Sequence, residues 1–306
     1  MMKILGVLPV SIGGRLTTSS ILDGFRMLGH SVIVYDELKE SSYSVDEYDL
    51  IVGYDFSPIK LKKDNNLSTK CIAYFSDEIR NKTSGPYWEE LLPELDNKDN
   101  YIFYWDRELE KQEKFKNIFY LPHFVNTDIY KNLYLSPECD VMFAGRLDTD
   151  YRLNMIESIA QDYNLHWYAI ERHYLDALKR AKNKALIEKI YKGFIDNEED
   201  MAMAINKSKV VINMNSQGIS SLNYRTMQTL ACGKLLISDR RAELDLFDNR
   251  IPVYDDIESL KQNIDYFLSS SDEYKQVCDY CSRVCRHKFN SVSGAEFMLK
   301  KITISN

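Results

Sequence analysis

Short apolar runs rich in β-branched and aromatic residues recur along the chain, separated by polar stretches of helical length, and this alternation restricts the fold more than any other feature. In the first 135 residues the runs are KILGVLPV, SVIVYD, DLIVGYDF, KCIAYFSD, NYIFYWD and NIFYLPHF, with a helix expected near 17–29. Runs this short and this uniformly apolar suit a parallel sheet covered on both faces. After Tyr134-Leu135-Ser136-Pro137 the pattern restarts with CDVMFAG, LHWYAI, IYKGFI, KVVINMN, KLLISD and IPVYDD. Helices are expected near 151–163, 174–192, 198–207, from 223, near 257–268 and 272–287, and in a final segment near 293–301. The expected fold is α/β, with two Rossmann-like domains, 1–135 and 136–306, facing each other across a cleft; the last helix is free to pack back on the first domain. Ligands of such sheets bind at the carboxyl ends of the strands.

The length of 306 residues is about twice a common domain size, and 44% hydrophobic content supplies two cores. A formal net charge of −7 counts against a surface given over to polyphosphate binding, although a local basic stripe is compatible with it. The N-terminal MMKILGVLPVSIGG has no long apolar stretch ahead of a small-residue cleavage site and reads as a first strand. No window approaches the roughly 20 apolar residues of a bilayer span. A cytoplasmic location follows as the expectation. Six cysteines, at 71, 139, 232, 278, 281 and 285, are then expected reduced. Cys278-x2-Cys281-x3-Cys285 with His287 has metal-ligand spacing, but a second ligand pair is missing, so the thiols are assigned to the packed face of a late helix and no metal is assigned.

Two stretches carry chemistry. In MFAGRLDTDYR, 142–152, a strand runs into Gly145, Arg146 and then Arg152 at a helix start, which together supply backbone access, guanidiniums and a helix N-terminus for a pyrophosphate. In KVVINMNSQGISSLNYRTMQTLACGKLLISD, 209–239, a strand leads to a loop holding Asn213, Asn215, Ser216, Gln217, Gly218, Ser220, Ser221 and Asn223. Tyr224 opens the helix that follows. Arg225 and Gln228 share one face of it and can present a cation to phosphate and an amide to a ribose. The competing reading is a turn with two solvated arginines for the first stretch and a capped surface helix with an exposed arginine for the second.

This arrangement resembles the donor half of GT-B glycosyltransferases, particularly the CgeB-like group. RTMQTLACG, 225–233, matches the arginine and glycine of that family's Arg-x-x-Glu-x-x-x-x-Gly pattern, with Gln228 where the glutamate stands. Related retaining enzymes carry another glutamate eight positions earlier, where this chain has Ser220. The resemblance implies donor binding, most simply of a UDP-sugar, by Gly13, Gly14, Arg146, Arg152, Asn215, Asn223, Tyr224, Arg225 and Gln228, with no cofactor and no metal. A second resemblance is to the phage DNA β-glucosyltransferase, in which a strand ending in Thr-Asp-Ile-Arg supplies an aspartate base. Here FSDEIR, 75–80, makes Asp77 the candidate catalytic base, against the plainer role of a turn cap. Gly13-Gly14-Arg15 does not satisfy G-x-G-x-x-G, which argues against NAD. His123 falls at the domain crossover and reads as linker, and the basic stretch 179–192 reads as a solvated face.

The expectation is a metal-independent glycosyltransferase in which Arg146, Arg152 and Arg225 neutralise a departing nucleoside diphosphate while the first domain binds a hydroxyl acceptor. A glycan or metabolite acceptor is expected; a hydroxylated base in phage DNA is the alternative. A non-catalytic nucleotide-sugar binding protein is the reading from a different class, motivated by Ser220 and Gln228.

Overall fold

The computed structural model describes residues 1–39, 47–79, 88–215 and 218–304. The chain forms two compact units. Unit 1 comprises Met1–Asn126, Ser216–Tyr224 and His287–Asn306, and unit 2 comprises Thr127–Asn215 and Arg225–Arg286. Along the chain the first unit gives way to the second between Asn126 and Thr127. Two later segments also belong to the first unit.

In unit 1, β1 (Lys3–Leu8), α1 (Ile12–Met27), β2 (Ser31–Asp36), β3 (Leu50–Tyr54), α2 (Ser57–Asp64), β4 (Lys70–Phe75), α3 (Trp88–Leu91), β5 (Asn100–Tyr104), α4 (Arg107–Gln112) and β6 (Ile118–Tyr120) follow in chain order. The six strands are all parallel, in the order β2-β1-β3-β4-β5-β6. β3, β4 and β5 are buried along most of their length, as expected of strands covered on both faces.

Unit 2 repeats the plan with β7 (Cys139–Ala144), α5 (Asp150–Asp162), β8 (Leu165–Tyr168), α6 (Glu171–Arg180), α7 (Lys184–Ile190), α8 (Glu198–Asn206), β9 (Ser208–Asn213), α9 (Tyr224–Ala231), β10 (Leu235–Asp239), β11 (Val253–Tyr254), α10 (Ile257–Ser269) and α11 (Ser271–Lys288). Its parallel sheet runs β11-β10-β9-β7-β8 around a core that includes Phe143, Ile156, Trp167, Ile212 and Ile237. Two expectations are corrected here. The basic stretch 174–192 is two helices, because Asn183 caps a new one by accepting from the Leu186 amide at 3.1 Å. IYKGFI is no strand; only the isolated bridge Trp167↔Tyr191 forms, and Gly193 turns the chain at φ +94°.

The C-terminal helix α12 (Ser291–Ile304) packs on α1, where a side chain on Gly24 would meet the Ser291 carbonyl at 2.1 Å. All six cysteines are unbridged and buried. Among the described residues, no helix is long and apolar enough to cross a membrane, and no group of three or more His, Cys, Asp or Glu is placed to hold a metal ion.

Candidate functional site

Each sheet has one point where the strand order reverses, between β1 and β3 in unit 1 and between β7 and β9 in unit 2. Connections leave such a point in opposite directions, which opens a crevice at the carboxyl ends of the two strands. Two of the arginines singled out in the sequence, Arg146 and Arg152, sit at that point in unit 2. Arg146 follows β7, and Arg152 reaches across to the residue after β9.

Their roles differ. Arg152 is buried, and its guanidinium donates from Nη1 to the Arg146 carbonyl at 3.1 Å and to Asp148 at 3.3 Å, and from Nη2 to the Met214 carbonyl at 2.5 Å. It braces the two strand ends and is spent on protein oxygens. Arg146 is exposed, with Nε 3.4 Å from Asp148. Arg225, the second residue of α9, has its guanidinium carbon 5.7 Å from the centre of the Phe143 ring. Gly145 takes φ +154°, and a side chain there would press on the Phe143 ring at 3.2 Å and touch Arg225 Nη2 at 3.5 Å. Arg225 Nε is buried and has no hydrogen-bond acceptor. Burial, followed by the nearby charge of Arg152, pushes its pKa down to about 10. A half-buried cation with a buried, unpartnered Nε and no carboxylate partner among the described residues, close to a second cation, gains most from a bound anion.

The neighbouring polar residues are largely committed. Asn215 donates its backbone amide and its Nδ2 to Asp239 Oδ1 at 3.1 and 2.8 Å, and Arg241 Nε closes on Asp239 Oδ2 at 3.1 Å. Gln228 is 3% exposed and donates from Nε2 to the Tyr130 hydroxyl at 2.5 Å. Tyr224 belongs to unit 1, where its hydroxyl lies 2.7 Å from Ser20 Oγ and its ring meets His123 edge-on at 5.6 Å. Asn223 is half-buried just before it. Ser220 is buried, and its hydroxyl donates to Asp106 at 2.9 Å. The side chain at 220 is therefore held within unit 1. Ser216, Gln217 and Arg80 lie outside the described residues.

In unit 1, Asp77 lies two residues beyond β4, and its Oδ2 accepts the Tyr54 hydroxyl at 3.1 Å; that hydroxyl is also 2.7 Å from Ser76 Oγ. Asp55, at the end of the adjacent strand β3, was not singled out in the sequence. Its backbone is left-handed at φ 55°, a conformation that aspartate adopts more readily than most side-chain-bearing residues. Its Oδ1 is buried without a hydrogen-bond partner, and burial, followed by the charge of Asp77, pushes its pKa up to about 7. A strand-end aspartate was the one signal available for it, and the same signal was used for Asp77.

Gly13 and Gly14 prove to be in the first turn of α1 rather than in a loop. Gly13 is exposed, while a side chain on Gly14 would collide with Pro9 and Tyr54 at 2.7 Å. Arg15 makes a two-pronged pair with Asp36, both contacts at 2.7 Å. His123 is buried against Tyr74, and burial pushes its pKa down to about 3, so it stays neutral in a packing role.

Two parallel α/β units of this strand order, the second carrying guanidiniums at its switch point, constitute the GT-B fold of glycosyltransferases. Residues 153–300 match the family described as Glycosyl transferase-like, and no curated protein matches the chain. Among solved structures, a glycosyltransferase from Rickettsia africae ESF-5 superimposes with a TM-score of 0.68 at 14% identity, over 99% of this chain and 98% of its own. Anabaena HepE in complex with UDP and glucose gives 0.72 at 12% identity, over 99% and 100%. An α-glucosyltransferase in complex with UDP and a DNA containing a HMU base gives 0.71 at 14% identity, over 99% of both chains. Identities this low establish the shared fold.

Proposed function

We propose that the chain is a glycosyltransferase that moves a sugar from a nucleotide-sugar, most simply UDP-glucose, to a hydroxyl acceptor. The observation that carries this reading is Arg225, a half-buried side chain whose guanidinium Nε is buried with no protein acceptor, held over Phe143 beside Gly145 at a switch point. Arg225 and the exposed Arg146 take the diphosphate, and Arg152 braces the loop that presents Arg146. HepE and the α-glucosyltransferase were both solved with UDP, which supports the choice of nucleotide.

In the reaction, the acceptor oxygen attacks the anomeric carbon and loses its proton to Asp77. The bond from that carbon to the β-phosphate oxygen breaks, and its electron pair leaves with the diphosphate. Fixed guanidiniums supply the charge that a divalent ion supplies elsewhere, so no metal is assigned. The acidic net charge favours a glycan or metabolite acceptor. A hydroxylated base in DNA is the second acceptor, favoured by the likeness to an α-glucosyltransferase crystallised with DNA.

Calorimetric titration with UDP tests the donor site: the wild type binds, and Arg225→Ala binds far more weakly. Equal affinities would remove the assignment. Loss of UDP-glucose hydrolysis in Asp77→Asn separates an enzyme from a binding protein of the same fold.

A further inference from the structure

Asp106 follows β5, is 0% exposed, and divides its two oxygens between two tasks. Oδ1 caps α4, accepting the amides of Glu108 and Leu109 at 2.9 and 3.0 Å, and also takes the Ser220 hydroxyl at 2.9 Å. Oδ2 gathers three successive amides, Ile219 at 2.7 Å, Ser220 at 2.9 Å and Ser221 at 3.0 Å. Successive amides converging on one oxygen form a nest that favours an anion over a neutral acceptor. Burial alone would push the Asp106 carboxyl up; the amides of Leu109, Ser220 and Ser221 and the Ser220 hydroxyl outweigh it and hold the pKa below the ordinary carboxylate value. Gly218 is shaped to the same contact. Its φ is +75°, and a side chain there would stand 2.6 Å from Asp106 Oδ2. At the other end of this stretch, Tyr224 is held by Ser20.

We infer that Asp106 is a positioning residue for donor binding: its carboxylate fixes residues 219–221, and so sets the stretch that delivers the chain into α9 and Arg225. This rests on the donor-site reading above. A cap of α4 needs one acceptor oxygen, and an asparagine provides one. The second oxygen is needed only by the nest. Asp106→Asn therefore keeps the cap and turns an NH2 group toward three N–H donors, whereas Ser220→Ala removes one hydroxyl and leaves the three amide bonds intact.

The test measures hydrogen exchange at residues 219–221, UDP affinity by calorimetry and thermal unfolding, all on the full chain. Asp106→Asn is expected to speed exchange at those three amides and to weaken UDP binding by about tenfold or more, against less than about threefold for Ser220→Ala. Gly218→Ala, which presses on the same oxygen from the loop side, is expected to reproduce the Asp106→Asn result and serves if that variant does not fold. Faster exchange with unchanged UDP affinity overturns the positioning role and leaves Asp106 a structural cap. Unchanged exchange overturns it as well. A wild type that binds no nucleoside diphosphate overturns the donor-site reading itself, and the inference with it.

Discussion

The guanidinium carbon of Arg225 lies 5.7 Å from the centre of the Phe143 ring, and its buried Nε has no acceptor. An aromatic face offers a cation some compensation for lost water, but far less than a carboxylate would. The arrangement is costly to the folded chain until an anion binds, which ties stability and function at this position in opposite directions.

Arg225→Met is therefore expected to weaken UDP binding by about 10- to 100-fold, the worth of one hydrogen bond to a charged group. The melting temperature of the ligand-free protein should hold or rise, since a desolvated charge is replaced by an apolar chain of similar length. Calorimetry and thermal denaturation read the two effects separately. A fall in both would mean that Arg225 is a structural residue.

Arg152 should behave in the opposite way. Its substitution by methionine strips donors from the carbonyls of Arg146 and Met214 and from Asp148, at an expected cost of about 2–4 kcal/mol in urea denaturation. A loss under about 1 kcal/mol would be incompatible with the bracing role.

Asp55 gives the stability a pH dependence with a defined sign. Its pKa is about 7 in the folded chain, against about 3.9 when unfolded. Between those values the folded chain keeps a proton that the unfolded chain releases, so its contribution is complete below the unfolded value and is lost as pH rises toward 7. Asp55→Asn should flatten that part of the stability profile. Denaturation midpoints measured from pH 4.5 to 7.5, with the wild type and the variant running parallel, would contradict the assignment.

Restoring the family glutamate should not improve the protein. Gln228→Glu places a carboxylate at a position 3% exposed, with the Tyr130 hydroxyl as its neighbour. The expected outcome is a loss of about 1–3 kcal/mol at pH 7, partly recovered near pH 5 as the acid is protonated, with no gain in UDP affinity. Tighter UDP binding by the variant would show that a carboxylate is what the ribose site lacks.

Most of the fold was legible because its signal is local. Runs such as CIAYF, 71–75, and VVI, 210–212, are apolar throughout, and α5 and α8 begin and end within a residue or two of the expected places. IYKGFI failed as a strand because Gly193 takes a positive φ and only one bridge pair forms. Arg146, Arg152 and Arg225 were recognisable as chemistry from residue type and spacing, but spacing could not distinguish an exposed Arg146, a bracing Arg152 and a half-buried Arg225 whose Nε has no acceptor. Asp55 and Asp106 passed unnoticed, since a strand-end aspartate reads the same whether it caps a helix, keeps a proton or gathers a distant loop.

What the sequence by itself determined is the alternation of strand and helix and the order of the arginines, because propensity and hydrophobic period act over a few residues. The tertiary structure alone decided that residues 219–221 close around Asp106, 113–115 positions earlier in the chain, and that the Ser220 side chain is spent on that contact. A carboxylate and an amide nest so far apart in sequence meet only in the folded chain, and burial strengthens the bonds between them.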